Sequence, residues 1–122
     1  MSWEDFKAAY KEIIDISCRK LKENRVAVFV VGEVRDKRGA YRDFVGLTKR
    51  LFCDNGLALY NDGVLLEQYG TAPMRAGKQF LAGRKTVKVH QNVLVFYKGD
   101  MSRIKHNYSD EFSFADLSRL II

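Results

Sequence analysis

The sequence predicts an α/β domain, and three observations predict it. Val26-Ala27-Val28-Phe29-Val30-Val31-Gly32-Glu33-Val34 is a continuous apolar run rich in β-branched residues. Its apolar side chains fall on both alternating sets, as a central strand covered on both faces requires. A helical pattern precedes this run and another follows it, the order of α/β folds. The 122 residues suffice for one domain with one core, and they contain no internal repeat, low-complexity tract or linker.

The first helix is expected over Ser2–Glu23. Ser2 and Asp5 make a capping-box start, and Phe6, Ala9, Tyr10, Ile13, Ile14 and Leu21 recur at helical steps to give one apolar face. Trp3 in the first turn either staples the helix end or meets a partner, and packing is the simpler role. The strand Val26–Val34 ends in the turn-rich Arg35-Asp36-Lys37-Arg38-Gly39. A second helix is expected over Tyr41–Asp54, with Phe44, Leu47, Thr48, Leu51 and Phe52 inward and Asn55-Gly56 as its stop. Gly46 weakens that helix by about 1 kcal/mol relative to Ala, which suits a close approach to the sheet. Leu57–Tyr69 reads as a second strand, with Asn61-Asp62-Gly63 as a bulge in preference to a turn. Gly70–Val87 reads as a long loop, and Val89–Tyr97 as a third strand antiparallel to the second. The tail is polar from Met101 to Glu111. Ser113 and Asp116 then cap a short helix whose Phe114, Leu117, Leu120 and Ile121 dock on the core.

No apolar run approaches the ~18–20 residues of a membrane span, and no signal peptide precedes the first helix, so a cytoplasmic setting is expected. Cys18 and Cys53 have no metal-ligand spacing and are expected as buried free thiols. The net charge of +6 and pI near 9.4 favour acidic partners, either nucleic acid or an acidic protein face.

Between Glu67 and Asp100 there is no acidic residue, while Arg75, Lys78, Arg84, Lys85, Lys88 and Lys98 are basic. Lysine and arginine interleaved with Gly70, Gly77 and Gly83 and with Phe80 suit a phosphate backbone. The charges neutralise it, glycine allows close approach and the ring stacks on a base. A solubilising surface loop is the plainer reading of the same span. His90 and His106 show no catalytic or metal spacing, and His90 reads as a structural residue at a strand start. Glu33 lies at the carboxyl end of the first strand, where α/β sheets gather ligands. It is expected either to contact a ligand or to pair with Arg35 or Arg42.

Three segments occur in a telling order: Phe29-Val30-Val31-Gly32-Glu33-Val34-Arg35-Asp36-Lys37-Arg38-Gly39-Ala40-Tyr41-Arg42, then Arg75-Ala76-Gly77-Lys78-Gln79-Phe80, then His90-Gln91-Asn92-Val93-Leu94-Val95-Phe96-Tyr97-Lys98-Gly99-Asp100. Together they resemble the middle portion of phage and bacterial DNA amino-methyltransferases that modify N6 of adenine or N4 of cytosine. The resemblance runs from about Trp3 to Asp100. It implies a small three-layer half of a Rossmann-like methyltransferase sheet, mixed parallel and antiparallel with helices on the faces, in one domain with residues 101–122 as an extension. It also implies that the long loop lies near DNA. The family's Asp/Asn/Ser-Pro-Pro-Tyr/Phe motif is missing, since Pro73 is the one proline, and no Gly-x-Gly turn for S-adenosylmethionine is present.

The resemblance therefore implies a truncated relative with no catalytic residues of its own, using S-adenosylmethionine only if a partner supplies the missing loop. Three functions are expected from this. The first is a non-catalytic binding protein of phage or mobile-element type. It would engage nucleic acid through Arg75, Lys78, Phe80, Arg84, Lys85 and Lys88, or inhibit a restriction or CRISPR nuclease. The second is a subunit of a split DNA methyltransferase, and the third a decayed fragment. The strand Val26–Val34 would lack its family neighbour and present an apolar edge, so a homodimer or an obligate complex through that edge is expected.

Overall fold

A computed structural model describes residues 1–66 and 72–109. Helix α1 spans Trp3–Lys20, strand β1 Arg25–Val31, helix α2 Phe44–Asp54, strand β2 Ala58–Leu66, helix α3 Ala72–Gly83 and strand β3 His90–Lys98. A 3-10 turn at Met101–Arg103 leads into the short helix α4 at Ile104–Asn107. The expected C-terminal helix and the end of the second strand at Tyr69 lie outside the described residues.

The α/β class stands. The sheet order is β1-β3-β2, with β3 antiparallel to both neighbours, so β1 and β2 run in the same direction on either side of it. Both pairings among the described residues are antiparallel, which narrows the expected mixed sheet. The last strand in sequence is thus the central one, and β1, expected at the centre, is an edge strand paired only with β3 among the described residues. The pairing of β2 with β3 shifts register between Leu59 and Asn61, which is the expected bulge, one residue early.

The core lies between one sheet face and helices α1 and α2. Ile14 and Cys18 of α1, Val45, Leu51 and Phe52 of α2, and Val31, Leu57, Leu94 and Phe96 form one buried cluster. Phe52 stacks on Phe96 with ring centroids 4.2 Å apart and meets Phe29 edge-on at 4.7 Å. These alternate positions Phe29, Leu94 and Phe96 face the helices. The other alternating set faces away: Val26, Val28 and Val30 are 40, 53 and 48% exposed. The two-faced apolar pattern of β1 therefore does not mean burial on both sides. The far face is covered at one end, where Tyr97 is buried and its hydroxyl donates to Asn24 Oδ1 at 3.1 Å and accepts from Asn107 Nδ2 of α4 at 3.0 Å.

α1 begins with the expected capping box, the Ser2 hydroxyl accepting from the Asp5 N–H at 3.0 Å and the Asp5 carboxylate from the Ser2 N–H at 3.3 Å. Its buried stripe runs through Ile14 and Cys18, with Phe6 and Tyr10 half-buried. Ile13, expected inside, is exposed because it sits one step off this stripe. Lys98 Nζ donates to the Cys18 and Leu21 carbonyls at 2.6 and 2.7 Å, so this lysine closes the end of α1 and is withdrawn from the basic surface. Cys18 is buried, which pushes its thiol pKa up, but Cys53, expected buried, is exposed on the outer side of α2.

α2 ends where expected. Gly56, at φ +83°, lets its N–H reach the Cys53 carbonyl at 3.0 Å and the Leu57 N–H reach that of Phe52 at 3.3 Å, a two-bond left-handed stop. It starts three residues later than expected, at Phe44. Gly46 serves that start and not the sheet. The Asp43 carboxylate caps the Gly46 N–H at 3.1 Å, and a Cβ at position 46 would fall 2.3 Å from Asp43 Oδ2.

Candidate nucleic-acid interface

The span expected as a long loop holds the helix α3, with Pro73 in its first turn, where a missing N–H costs nothing. Every described side chain from Pro73 to Thr86 is exposed. Arg75, Lys78, Gln79 and Ala82 follow the three- and four-residue steps of one helical face, and Met74, Gly77 and Leu81 those of another. Met74 and Leu81 are 80 and 77% exposed, so the apolar face packs on nothing among the described residues.

The candidate basic residues divide into three groups. Arg75 and Lys78 project from α3 itself. Arg84, at φ +55° just past the helix, folds back: its guanidinium donates to the Phe80 and Leu81 carbonyls at 3.0 and 3.1 Å and lies 5.5 Å from the Phe80 ring centroid. Arg84 and Phe80 therefore act together as the C-terminal closure of α3. Lys85 and Lys88 turn toward the segment after β1. The Lys85 side chain passes within 3.3 Å of where a Cβ on Gly39 would sit, and Lys88 Nζ lies 4.6 Å from the Tyr41 ring centroid.

That segment is a tight hairpin closed by an isolated bridge between Arg35 and Tyr41. Asp36 builds its tip. One carboxylate oxygen accepts from the Arg38 and Ala40 N–H groups at 2.9 and 3.0 Å, and Gly39 takes φ +96°. The Ala40 N–H, above all, holds the Asp36 carboxyl below the usual carboxylate range. Arg35 donates to the Gly39 carbonyl at 2.7 Å and to the Tyr41 hydroxyl at 3.1 Å, and its guanidinium carbon lies 4.0 Å from the Tyr41 ring centroid. Tyr41 is thus contacted by both Arg35 and Lys88. A cleft of about 460 Å³ lined by Arg35, Gln79, Ala82, Gly83 and Lys85 separates the hairpin from α3. Lys78, Lys85, Lys88 and Arg35 form no ion pair among the described residues. The sequence pointed to the lysines but not to Arg35, which only the hairpin brings beside them.

Glu33 makes no ion pair with Arg35 or Arg42 among the described residues, and its carboxylate caps the start of α2. Its two carboxylate oxygens accept from the Phe44 and Val45 N–H groups at 3.1 and 3.0 Å. With Asp43 taking the Gly46 N–H, and the Asp43 carbonyl that of Leu47, the start of α2 has no donor left for a ligand. His90 opens β3 as expected, and no group of His, Cys, Asp and Glu residues suited to a metal occurs among the described residues. No helix among them is long and apolar enough to cross a membrane.

No protein-family model and no curated protein matches the chain. The chain is similar in fold to the crystal structure of a protein from Thermus thermophilus provisionally assigned as a DNA modification methylase. The TM-score is 0.68 and the sequence identity 16%, over 98% of this chain and 49% of that one. The chain spans about half the length of the structure it matches.

Proposed function

We propose that this chain is a methyltransferase-like binding module that engages nucleic acid through the basic surface of α3 and the hairpin after β1, without transferring a methyl group itself. One observation carries the reading: Arg35 and Lys85 line an open cleft, Lys78 and Lys88 sit on the segments that flank it, and none of the four is paired with a carboxylate among the described residues. Uncompensated cations beside exposed aromatic rings suit a phosphate backbone, where counterion release drives binding. The fold likeness to half of a DNA modification methylase supports the same ligand class. Arg75 belongs to this surface, and Arg84 and Phe80 support it by closing α3.

Fluorescence anisotropy of a labelled DNA duplex, titrated over a range of salt, tests the proposal. Binding that weakens with salt is expected, and Lys85→Glu with Lys88→Glu should lower the log–log salt slope by about 1 for each phosphate no longer neutralised. Unchanged affinity and slope would remove the interface. Calorimetry with S-adenosylmethionine should give no heat of binding for the chain alone, and methylation of DNA by the purified chain would refute the non-catalytic part. A nuclease as the bound partner, inhibited by this same surface, is the other form of the reading. It is preferred if duplex binding is absent and a restriction or CRISPR nuclease is retained.

A second reading, one half of a split methyltransferase, is favoured by the edge of β1, unpaired among the described residues, and by the half-length match. Either reading leaves that edge for a second copy or a partner to cover, and light scattering at micromolar concentration reports which. A monomer with no partner counts against both forms of assembly.

A further inference from the structure

We infer that the outer face of the sheet, turned away from α1 and α2, is where two copies of this chain pack face to face as a weak dimer. The strand register sets the composition of that face. The rows Val28–Val95–Asn61 and Val30–Val93–Gly63 run across all three strands, with Val26 toward one end and Leu65 toward the other. Val26, Val28, Val30 and Leu65 are exposed. No charged residue falls on these rows, although 30% of the chain is charged. The charged strand residues belong to the helix side. Asp62 pairs with Lys49 of α2 at 3.2 Å, and Arg25 stands opposite Lys98, which closes α1. With Tyr97 covered by α4 at one end, the rest is an open apolar patch among the described residues, and such a patch marks a contact surface.

Charge and shape select a second copy as the occupant. Two chains of net charge +6 repel each other, and that repulsion is least across a face with no charged positions. An acidic partner would be drawn to the uncompensated cations of the α3 surface, and this face offers it nothing to pair with. The patch is also flat β-sheet, which a second sheet face fills at ~10 Å with strands aligned within about 30°. A two-fold axis near the Val28–Val95–Asn61 row sets the same valines of both copies against each other. Pairing through the open edge of β1 would instead leave those valines in solvent, because an added strand extends the face without covering it. Size sets the strength. Three strands ~4.8 Å apart and the seven residues of β1 at ~3.4 Å each give a face of roughly 14 Å by 24 Å. That is small against the ~800 Å² per partner of a standard interface, so the dimer is expected to exchange in the micromolar range.

The inference goes beyond the proposed function: it uses no residue of α3 or of the hairpin, and its readout needs no nucleic acid. Sedimentation equilibrium of the chain from about 1 to 100 µM tests it. The mass should rise with concentration from 14.1 kDa toward twice that value. Leu65→Glu should weaken the dimer at least about tenfold, since it buries a carboxylate against valines. Leu65 lies on β2, on the far side of β3 from β1, so a dimer joined through the β1 edge would keep its affinity in this variant. If Leu65→Glu fails to fold, Asn61→Lys serves, because Asn61 is polar and exposed yet sits in the central row. The two variants change the net charge in opposite senses, and both should weaken the dimer. Added sodium chloride should tighten the dimer of the unaltered chain by screening the repulsion between two cations. A monomer up to about 100 µM would overturn the inference and leave the face to a different protein. So would a dimer that ignores the substitution at position 65 or 61, or one that salt dissociates, which would mean that ion pairs hold it.

Discussion

α2 and α3 are helices of nearly the same length, 11 and 12 residues, and they are built on opposite terms. α2 buries Val45, Thr48, Leu51 and Phe52, and its first-turn donors are taken up by Glu33 and Asp43. Thr48 is fully buried yet satisfied, donating to the Phe44 carbonyl and bonded to the Tyr10 hydroxyl, each at 2.9 Å. α3 buries none of its described side chains and is closed at its end by an arginine from its own sequence. α2 belongs to the scaffold, whereas α3 keeps its charged and apolar faces available. Burial, not helix length, sets the two helices apart: α2 is packed into the core, and α3 is the proposed recognition element.

The comparison can be broken most sharply by truncation. Phe52→Ala removes a ring that stacks on Phe96 and meets Phe29 edge-on, and should cost about 3–5 kcal/mol in urea unfolding. Leu81→Ala in α3 should stay within about 0.5 kcal/mol of the parent. Equal losses would mean that α3 is packed and is no recognition element. Next in size, Glu33→Ala strips two donors at the start of α2 of their acceptor and should cost about 1–2 kcal/mol by the same measurement.

Gly46→Ala gives a smaller effect with an informative sign. A helix interior gains up to about 1 kcal/mol from this change, but here the new methyl meets the Asp43 carboxylate, so no gain is expected. With Asp43→Gly in the background, which tolerates the left-handed conformation at that position, the same substitution should become stabilising.

The least effect on α3 is expected from acid. Asp15 is held below the usual carboxylate range by the Asn55 amide and then by Lys11, Asp36 by the Ala40 N–H, and Asp100 by Ser102. Lowered values stabilise the fold fully above the unfolded value of about 3.9, and that contribution is lost as pH falls through the lower folded values. The urea midpoint should therefore decline below about pH 4, and Asp36→Ala should make the decline shallower. α3 has no acidic residue to contribute.

The scaffold is largely legible in the sequence because it is local. The Ser2–Asp5 box, the Asn55-Gly56 stop and the apolar run of β3 each announce themselves within a few residues. Three features are not legible. Glu33 caps a helix that begins 11 residues later, and no short spacing encodes that. The exposed valines of β1 look like core in sequence, since nothing local tells an uncovered face from a covered one. α3 reads as a loop because Pro73, Gly77 and Gly83 suggest a break and its apolar positions serve no core. The candidate basic residues are visible as composition, but the split between Arg84 as a helix closure and Lys85 and Lys88 beside the hairpin needs coordinates.

The position of β3 has a consequence for how the chain comes to be folded. It is the middle strand and also the last of the three to leave the ribosome, with Arg25 paired to Lys98 across more than half the polypeptide. Until translation passes residue 98, the two earlier strands have nothing to zip onto and their greasy residues remain open to chaperones or to neighbouring nascent chains. A ribosome stalled before His90 would thus hold helices without a sheet, and assembly would come as a single late event.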